Sequence, residues 1–203
     1  MEKELQNYKS FYEKVFPISD DEFLQTMAIT EFLELGKNKI LLEEDKVDKY
    51  IYFLVDGIVR LYYIDEETTK ETNVMFFHRT GIFTSYISYV REKPYRLRME
   101  TLTKTTLFRA PKSKVEALAA SNQNINTMAR KVTEFLLLEM MEHYLNLLHL
   151  SKSKRYQLLE QEMGSRLIKK ISVKHLSSFL GIEPESLSRI RRQIKAETKA
   201  AKK

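Results

Sequence analysis

The chain has 203 residues, 43% of them hydrophobic and 31% charged, which is typical of a folded protein with one large or two small domains. It contains no cysteine, which excludes disulfides, thiolate zinc sites, iron–sulfur clusters and cysteine nucleophiles. No apolar run approaches the roughly 18 residues of a membrane span, and the opening MEKELQNYKS lacks the pattern of a signal peptide. We therefore expect a cytoplasmic protein with no membrane partner.

The net charge of +6 is distributed unevenly along the chain. Residues 151–203 contain 14 Lys and Arg against 5 Asp and Glu, a net charge of +9, whereas residues 1–150 contain 20 against 23, a net charge of −3. Such an asymmetry is expected when one end of a protein binds a polyanion. The charge therefore favours a nucleic acid as the partner of the C-terminal quarter.

The first 30 or so residues have a helical pattern that is interrupted at Pro17. We expect Asp20 to cap a second short helix that extends to Met27. The following region, from Phe32 to Phe108, contains short β-branched and aromatic runs separated by charged turns, which predicts a small antiparallel barrel or sandwich. The predicted strands are Phe32–Leu35, Lys39–Leu42, Tyr50–Val55, Ile58–Ile64, Thr72–Phe77 and Met99–Phe108.

The longest predicted helix, Thr127–Leu150, is apolar around almost its whole circumference. Such a helix must be buried on more than one side, and a barrel can cover only one of them. We therefore expect its other side to pack on a second copy of itself in a two-fold dimer, the alternative being a central helix in a monomer. Ser151 to Lys154 is the expected hinge to the next domain, whose first helix is expected to end at Gly164.

The segment from Val173 to Ile194 has the pattern of two short helices joined by a tight turn. We expect Gly181 to end the first helix in a left-handed conformation, Ile182 to fold back over the corner, and Pro184 to start the second helix. The second helix has an apolar stripe of Leu187, Ile190 and Ile194, and an outward face of Glu185, Ser186, Ser188, Arg189, Arg191 and Arg192. A short basic helix of this kind suits the major groove of DNA, although a capped helical hairpin with a solvated face has the same pattern.

The stretch LSSFLGIEPESLSRIRRQI resembles the helix-turn-helix of the Crp/Fnr family of bacterial transcription regulators, in which a Leu-Gly turn precedes a helix reading Glu-x-x-x-Arg. Glu185 and Arg189 match these two positions, and the resemblance implies that they contact base edges. Upstream, VDGIVRLYYIDEETTKETNVMFF resembles the cyclic-nucleotide-binding β-roll of the same family, with Gly57 and Gly81 at its two glycine positions.

The resemblance implies an α+β fold with an N-terminal antiparallel, jelly-roll-like β-roll in residues 1–120. A long dimerisation helix would occupy residues 121–150, and an all-α helix-turn-helix domain residues 151–203. Together with the two-fold dimer expected from Thr127–Leu150, it predicts a homodimer that binds double-stranded DNA at an inverted repeat, with RNA polymerase as a further candidate partner. The DNA-binding residues would be Glu185, Ser186, Ser188, Arg189 and Arg192.

The C-terminal end departs from the family pattern. Family members follow the second helix with a β-hairpin wing, whereas KAETKAAKK, from Lys195 to Lys203, has no strand pattern. We expect a domain without a full wing, and its four terminal lysines are expected to form a flexible, phosphate-binding tail.

The effector pocket implied by the resemblance also departs from the family. Gly81-Ile82 stands where the family has Gly-Glu, and Arg96-Leu97 stands where it has Arg-Ser, so only Arg96 remains as a phosphate ligand. Phe135 and Leu136 occupy the positions of the base-reading hydroxyls. Each lost polar partner costs about 1–3 kcal/mol, so we expect weak cyclic AMP binding or none, and no resident cofactor. Whether another small molecule binds stays open.

Catalytic patterns are missing from the sequence. The four histidines, His78, His143, His149 and His175, are far apart and lack paired-ligand spacing, and there is no phosphate loop or GxSxG elbow. We therefore expect neither an enzyme nor a metal site. The alternative to a DNA-binding regulator is a small-molecule sensor or protein-interaction module of the same fold that does not bind DNA specifically.

Overall fold

The computed structural model describes the backbone of residues 2–200 and the side chains of residues 4–197 and 200. It begins with helices α1 (Glu2–Val15) and α2 (Asp20–Ala28). The N-cap of α2 is Ser19, so the expectation that Asp20 caps it was wrong. The Ser19 hydroxyl accepts the backbone N–H of Glu22 at 3.2 Å, and the Glu22 carboxylate accepts the Ser19 N–H at 2.8 Å. This reciprocal capping box satisfies two helix-end donors at once, which Asp20 alone would not do.

Eight strands then form two four-stranded antiparallel sheets, which confirms the predicted β-roll. The first sheet has the order β1-β8-β3-β6 and the second the order β2-β7-β4-β5. The strands are β1 (Glu31–Leu35), β2 (Ile40–Leu42), β3 (Tyr50–Asp56), β4 (Val59–Ile64), β5 (Glu71–Phe77), β6 (Gly81–Phe83), β7 (Leu97–Thr101) and β8 (Thr105–Pro111).

The prediction of one strand from Met99 to Phe108 was wrong, because the chain changes sheets inside it. β7 ends at Thr101 and β8 begins at Thr105. The connection is held by Ile58, whose N–H donates to Thr103 Oγ1 at 2.9 Å and whose carbonyl accepts the Leu102 N–H at 2.7 Å. Two short elements were not predicted at all, strand β6 and helix α3 (Tyr86–Arg91).

The two sheets enclose one apolar core, and helices cover the outer face of the first sheet. The core between the sheets contains Tyr52, Leu54, Val59, Phe83, Met99 and Leu107. On the outer face, Tyr8 of α1 packs against Phe53 and Phe108 of the sheet, together with Ile125 and Met128 of the long helix. The β-roll is therefore fixed to the first half of that helix.

The C-terminal half is helical, with α4 (Lys112–Ser121), α5 (Gln123–His149), α6 (Lys152–Ile168), α7 (Val173–Leu180) and α8 (Pro184–Ala200). α5 begins four residues before Thr127 because the Asn122 side chain caps it. Gly164 adopts non-helical angles (φ 75°, ψ 149°), so α6 breaks there as expected but continues for one more turn. Within the described stretch, none of the helices combines the length and apolar character needed to cross a membrane.

The expectation of a flexible tail after Ile194 was wrong for residues 195–200, which extend α8 as helix. No strand follows Ile194 within the described residues. Residues 201–203, which include Lys202 and Lys203, lie outside the described part of the chain.

Candidate functional site

The turn between α7 and α8 has the geometry expected from the sequence. Ser172 caps α7 by accepting the His175 N–H at 3.1 Å. Gly181 is left-handed (φ 64°), and the Ile182 N–H donates to the Ser177 carbonyl at 3.0 Å, which folds the chain back over the helix end. Ile182 is buried, and Leu187 behind it is fully buried. The turn therefore sets the direction of α8 relative to α7.

The outward face of α8 carries Glu185, Ser188, Arg189 and Arg192, all exposed, with Ser186 half-buried beside them. Among the residues that the structure describes, neither Arg189 nor Arg192 forms an ion pair within 4.0 Å. Both guanidinium groups are therefore available to an anionic partner.

Arg191, expected on the outward face, instead points toward the protein. Its Nε donates to the Tyr156 hydroxyl at 3.1 Å, and its guanidinium lies 5.3 Å from the centre of the Tyr156 ring. The expectation was wrong because the side of α8 that faces the protein is wider than the apolar stripe of Leu187, Ile190 and Ile194, and it includes Arg191. Arg191 therefore anchors α8 to α6.

The helix-turn-helix is docked on the β-roll through α7. The backbone N–H of Asn73 on β5 donates to Ser178 Oγ at 2.9 Å, and this hydroxyl donates to the Glu71 carbonyl at 3.1 Å. The ring of Phe179 packs against that of Phe76 with centroids 4.9 Å apart. Polar and apolar contacts together fix the helix-turn-helix to the exposed edge of the second sheet.

A buried arginine lies under this contact. Arg60 is 3% exposed, and its guanidinium forms ion pairs with Glu71 at 2.7 Å and Glu100 at 2.8 Å. The same group covers the Tyr62 ring at 3.6 Å. Its Nη1 also lies 3.1 Å from His175 Nδ1, and burial together with the Arg60 charge lowers the pKa of His175. His175 is therefore neutral at pH 7 and accepts a hydrogen bond from Arg60.

Helix α5 has a continuous apolar face that no other described residue covers. Leu137, Met141, Tyr144 and Leu148 follow one another at spacings of four, three and four residues and are 53–61% exposed. Only the first half of α5 packs on the β-roll, through Ile125, Met128 and Val132. A 4-3-4 spacing is that of the seam between two paired helices.

A cavity of about 440 Å³ lies between the β-roll, α5 and helices α6 and α7. Of the six residues predicted for an effector pocket, five line this cavity: Gly81, Ile82, Leu97, Phe135 and Leu136. The sixth, Arg96, lies away from it, exposed and paired with Glu66 at 2.8 Å. The arginine expected to hold a phosphate is therefore engaged on the surface.

The polar groups around the cavity are mostly neutral or already paired. Burial lowers the pKa of His78 to about 4 and also lowers the pKa of His143, so both rings are uncharged at pH 7. Arg79 forms ion pairs with Glu162 at 2.9 Å and Glu139 at 3.8 Å. Arg155, at the start of α6, also lines the cavity. Sequence reasoning missed these groups, because only the fold brings them together.

Comparison with known proteins gives a family match for the part of the chain that forms the β-roll. Residues 32–122 match the family model described as Cyclic nucleotide-binding domain. No curated protein sequence is detectably similar to this chain.

Solved structures extend the likeness to most of the chain. FixK2 from Bradyrhizobium japonicum has a TM-score of 0.71 at 20% identity, and the match covers 84% of this chain and 86% of that one. CLP from Xanthomonas campestris, described as a c-di-GMP-responsive global regulator, has a TM-score of 0.68 at 11% identity, covering 89% and 93%. A protein from Eubacterium rectale, described as a transcriptional regulator of the Crp/Fnr family, has a TM-score of 0.66 at 16% identity, covering 91% and 89%.

At these identities the matches establish the fold, and the fold includes the helix-turn-helix as well as the β-roll. Residues 32–122 therefore match the cyclic nucleotide-binding domain model, and most of the chain shares its fold with solved proteins that include a transcriptional regulator of the Crp/Fnr family.

Proposed function

We propose that this protein is a homodimeric, sequence-specific DNA-binding transcription regulator that reads DNA through α8. The observation that carries the proposal is the outward face of α8. It places the unpaired, exposed Arg189 beside Glu185 on a helix whose opposite side is fixed by the buried Leu187. An exposed basic helix held rigidly by its partner helices is the element that enters the major groove in helix-turn-helix proteins.

The side chains of this face divide into base-reading and phosphate-binding groups. Arg189 reaches guanine O6 and N7 with two donors, and Glu185 accepts from a cytosine amino group. Ser186 and Ser188 flank them with hydroxyls that donate or accept. Arg192 contacts phosphates, which strengthens binding to every sequence alike.

Dimerisation through the apolar face of α5 supports the two-fold arrangement of the recognition helices. A second copy of Leu137, Met141, Tyr144 and Leu148 would cover the face that a monomer exposes. Two copies of α8 about 34 Å apart match one turn of B-DNA, which implies an inverted repeat with half-sites about ten base pairs apart. RNA polymerase stays a predicted partner.

The effector of the proposed regulator is not cyclic AMP. The ribose and phosphate of a cyclic nucleotide need a carboxylate and an arginine. Ile82 and Leu97 line the cavity instead, and Arg96 is paired elsewhere. CLP is described as responsive to c-di-GMP; we propose that this chain also responds to a small molecule, but one that suits an apolar wall.

Selection of bound sequences from random duplex DNA by the full-length protein tests the proposal. We expect enrichment of an inverted repeat with half-sites about ten base pairs apart. The variant Arg91→Ala, which removes an exposed arginine of α3 far from α8 in sequence, serves as the control and should enrich the same repeat. A pool without any enriched sequence would contradict the proposal and favour a sensor or protein-interaction module that does not read DNA.

A further inference from the structure

The cavity beside α5 has an apolar wall and, within the described part of the chain, a buried arginine donor without an acceptor. Its apolar part is formed by residues of the β-roll and α5, among them Met75, Phe83, Leu136 and Met140. Its other end reaches Arg155 and Leu159 of the helix-turn-helix domain. A molecule that fills the cavity therefore contacts both halves of the protein.

Arg155 supplies this donor. Its Nε is buried and has no hydrogen-bond acceptor, and among the described residues no carboxylate oxygen lies within 4.0 Å of its guanidinium. The nearby Arg79 differs, because Glu139 and Glu162 already neutralise it. The third carboxylate of the lining, Glu142, is exposed and forms no ion pair with Arg155.

A buried guanidinium donor without an acceptor favours a ligand that brings one, and guanidinium groups bind planar carboxylates with two parallel hydrogen bonds. The histidines of the lining, His78 and His143, are uncharged at pH 7 and add no second positive site for a larger polyanion. The requirements are therefore one negative group at Arg155 and an apolar body in the rest of the cavity.

We propose that the cavity binds an amphipathic monocarboxylic acid, with its carboxylate on Arg155 and its hydrocarbon body between the β-roll and α5. The proposal rests on the function proposed above, since it names the effector of that regulator.

The position of Arg155 also explains how such a ligand is coupled to DNA binding. Its Nη1 lies 3.7 Å from the position that a Cβ on Gly181 would occupy, so the guanidinium is adjacent to the turn between α7 and α8. The ring of Phe179, on the same helix-turn-helix, stacks on His143 of α5 at 4.6 Å. A carboxylate bound to Arg155 would therefore lie next to the turn that sets the position of α8.

Calorimetric titration of the full-length protein with decanoate, decanol and decylammonium tests the proposal. These probes share an apolar chain and differ only in the head group. We expect decanoate to bind at least ten times more tightly than decanol, and decylammonium not to bind. Equal affinity for decanoate and decanol, or no binding of decanoate, would overturn the proposal without any variant.

The variant Arg155→Gln replaces the guanidinium with a shorter, uncharged amide that ends near the position of Nε. We expect it to lose the preference for decanoate while retaining the affinity for decanol. The matched control is Arg166→Gln, an exposed arginine on the same helix, which should titrate like the unmodified protein. A preference for decanoate that survives Arg155→Gln would overturn the assignment of Arg155.

DNA binding by ligand-free Arg155→Gln separates this proposal from the proposed function. If decanoate shows no preference over decanol while the variant still binds the selected DNA, the proposed ligand class is wrong, but the proposed DNA-binding function is retained. If neither the variant nor the unmodified protein selects any DNA, the proposed function has failed independently of the ligand.

Discussion

The Nη1 atom of Arg60 lies 3.1 Å from Nδ1 of His175, which joins the buried interior of the β-roll to the first helix of the helix-turn-helix. Because Arg60 can only donate, His175 must accept, and it does so only while its ring is neutral. The groups that surround this contact are Glu71, Glu100 and Lys174, together with Arg60 itself. Protonation of this imidazole would therefore remove one of the contacts between the β-roll and α7.

The first prediction concerns pH. Burial, and then Arg60, lower the pKa of His175 in the folded protein, whereas the unfolded chain protonates it near its ordinary value of about 6.5. The unfolded state therefore binds more protons below about pH 6.5, and the free energy of unfolding decreases as the pH falls. We expect His175→Asn, which keeps an acceptor near the Nδ1 position but does not titrate, to reduce this decrease in urea unfolding at pH 7 and pH 5.

The control for this measurement is His149→Asn, at the exposed end of α5. Between pH 7 and pH 5 its free energy of unfolding should decrease by as much as that of the unmodified protein. Some pH dependence remains in His175→Asn, because His78 and His143 are also partly buried and have lowered pKa values. An unchanged decrease in His175→Asn would mean that the Arg60 contact does not determine the protonation of His175.

A second prediction tests the dimer. Leu137→Asp or Met141→Asp places a charge in the seam of the proposed interface, where it would have no partner. We expect light scattering to give twice 24.1 kDa for the unmodified protein and 24.1 kDa for either folded variant. Leu24→Asp on α2, where the side chain is 63% exposed, is the control and should leave the dimer intact. A native monomer at micromolar concentration would contradict the proposed two-fold dimer.

A third prediction concerns the corner between β3 and β4. Gly57 has a φ of 113°, and a Cβ there would lie 2.8 Å from both the Lys104 carbonyl oxygen and Thr105 Cα. Gly57→Ala would therefore strain the backbone and collide with it, and we expect a loss of about 2 kcal/mol or more in urea unfolding. Gly36→Ala is the control, because its Cβ would meet nothing closer than 3.9 Å. Equal losses in the two variants would contradict the close approach.

The helix-turn-helix could be predicted almost residue by residue, because its signals are local. Gly181 and Pro184 mark the helix ends, and their conformations follow from the residue type. Arg191 could not be placed, because a polar side chain on a helix gives no sign that the neighbouring helix offers it the Tyr156 hydroxyl.

The β-roll could be predicted in class but not in detail. Strand β6 has three residues, too few to show a period of two. The break between β7 and β8 depends on hydrogen bonds to Ile58, more than 40 positions away. The same limit applies to the cavity, where Arg155 lies near its other lining groups only after the β-roll, α5, α6 and α7 have packed together.

A fourth prediction concerns cyclic AMP. Ile82, Leu97, Phe135 and Leu136 offer it no hydrogen-bond partners of the kind that its ribose, phosphate and base require. Losing several such partners at about 1–3 kcal/mol each weakens binding by several decades. We expect calorimetry to detect no binding at micromolar nucleotide. A sub-micromolar dissociation constant would mean that the cavity is polar in a way that its lining does not explain.

The most direct test of the account measures the affinity of Arg189→Ala for the selected duplex and for a random duplex of equal length, at one salt concentration. We expect a loss of about 1–3 kcal/mol on the selected duplex and far less on the random one, because only the former offers the guanine that Arg189 reads. Arg91→Ala should change neither affinity. An equal loss on both duplexes would contradict base readout by α8 and make it a general basic surface.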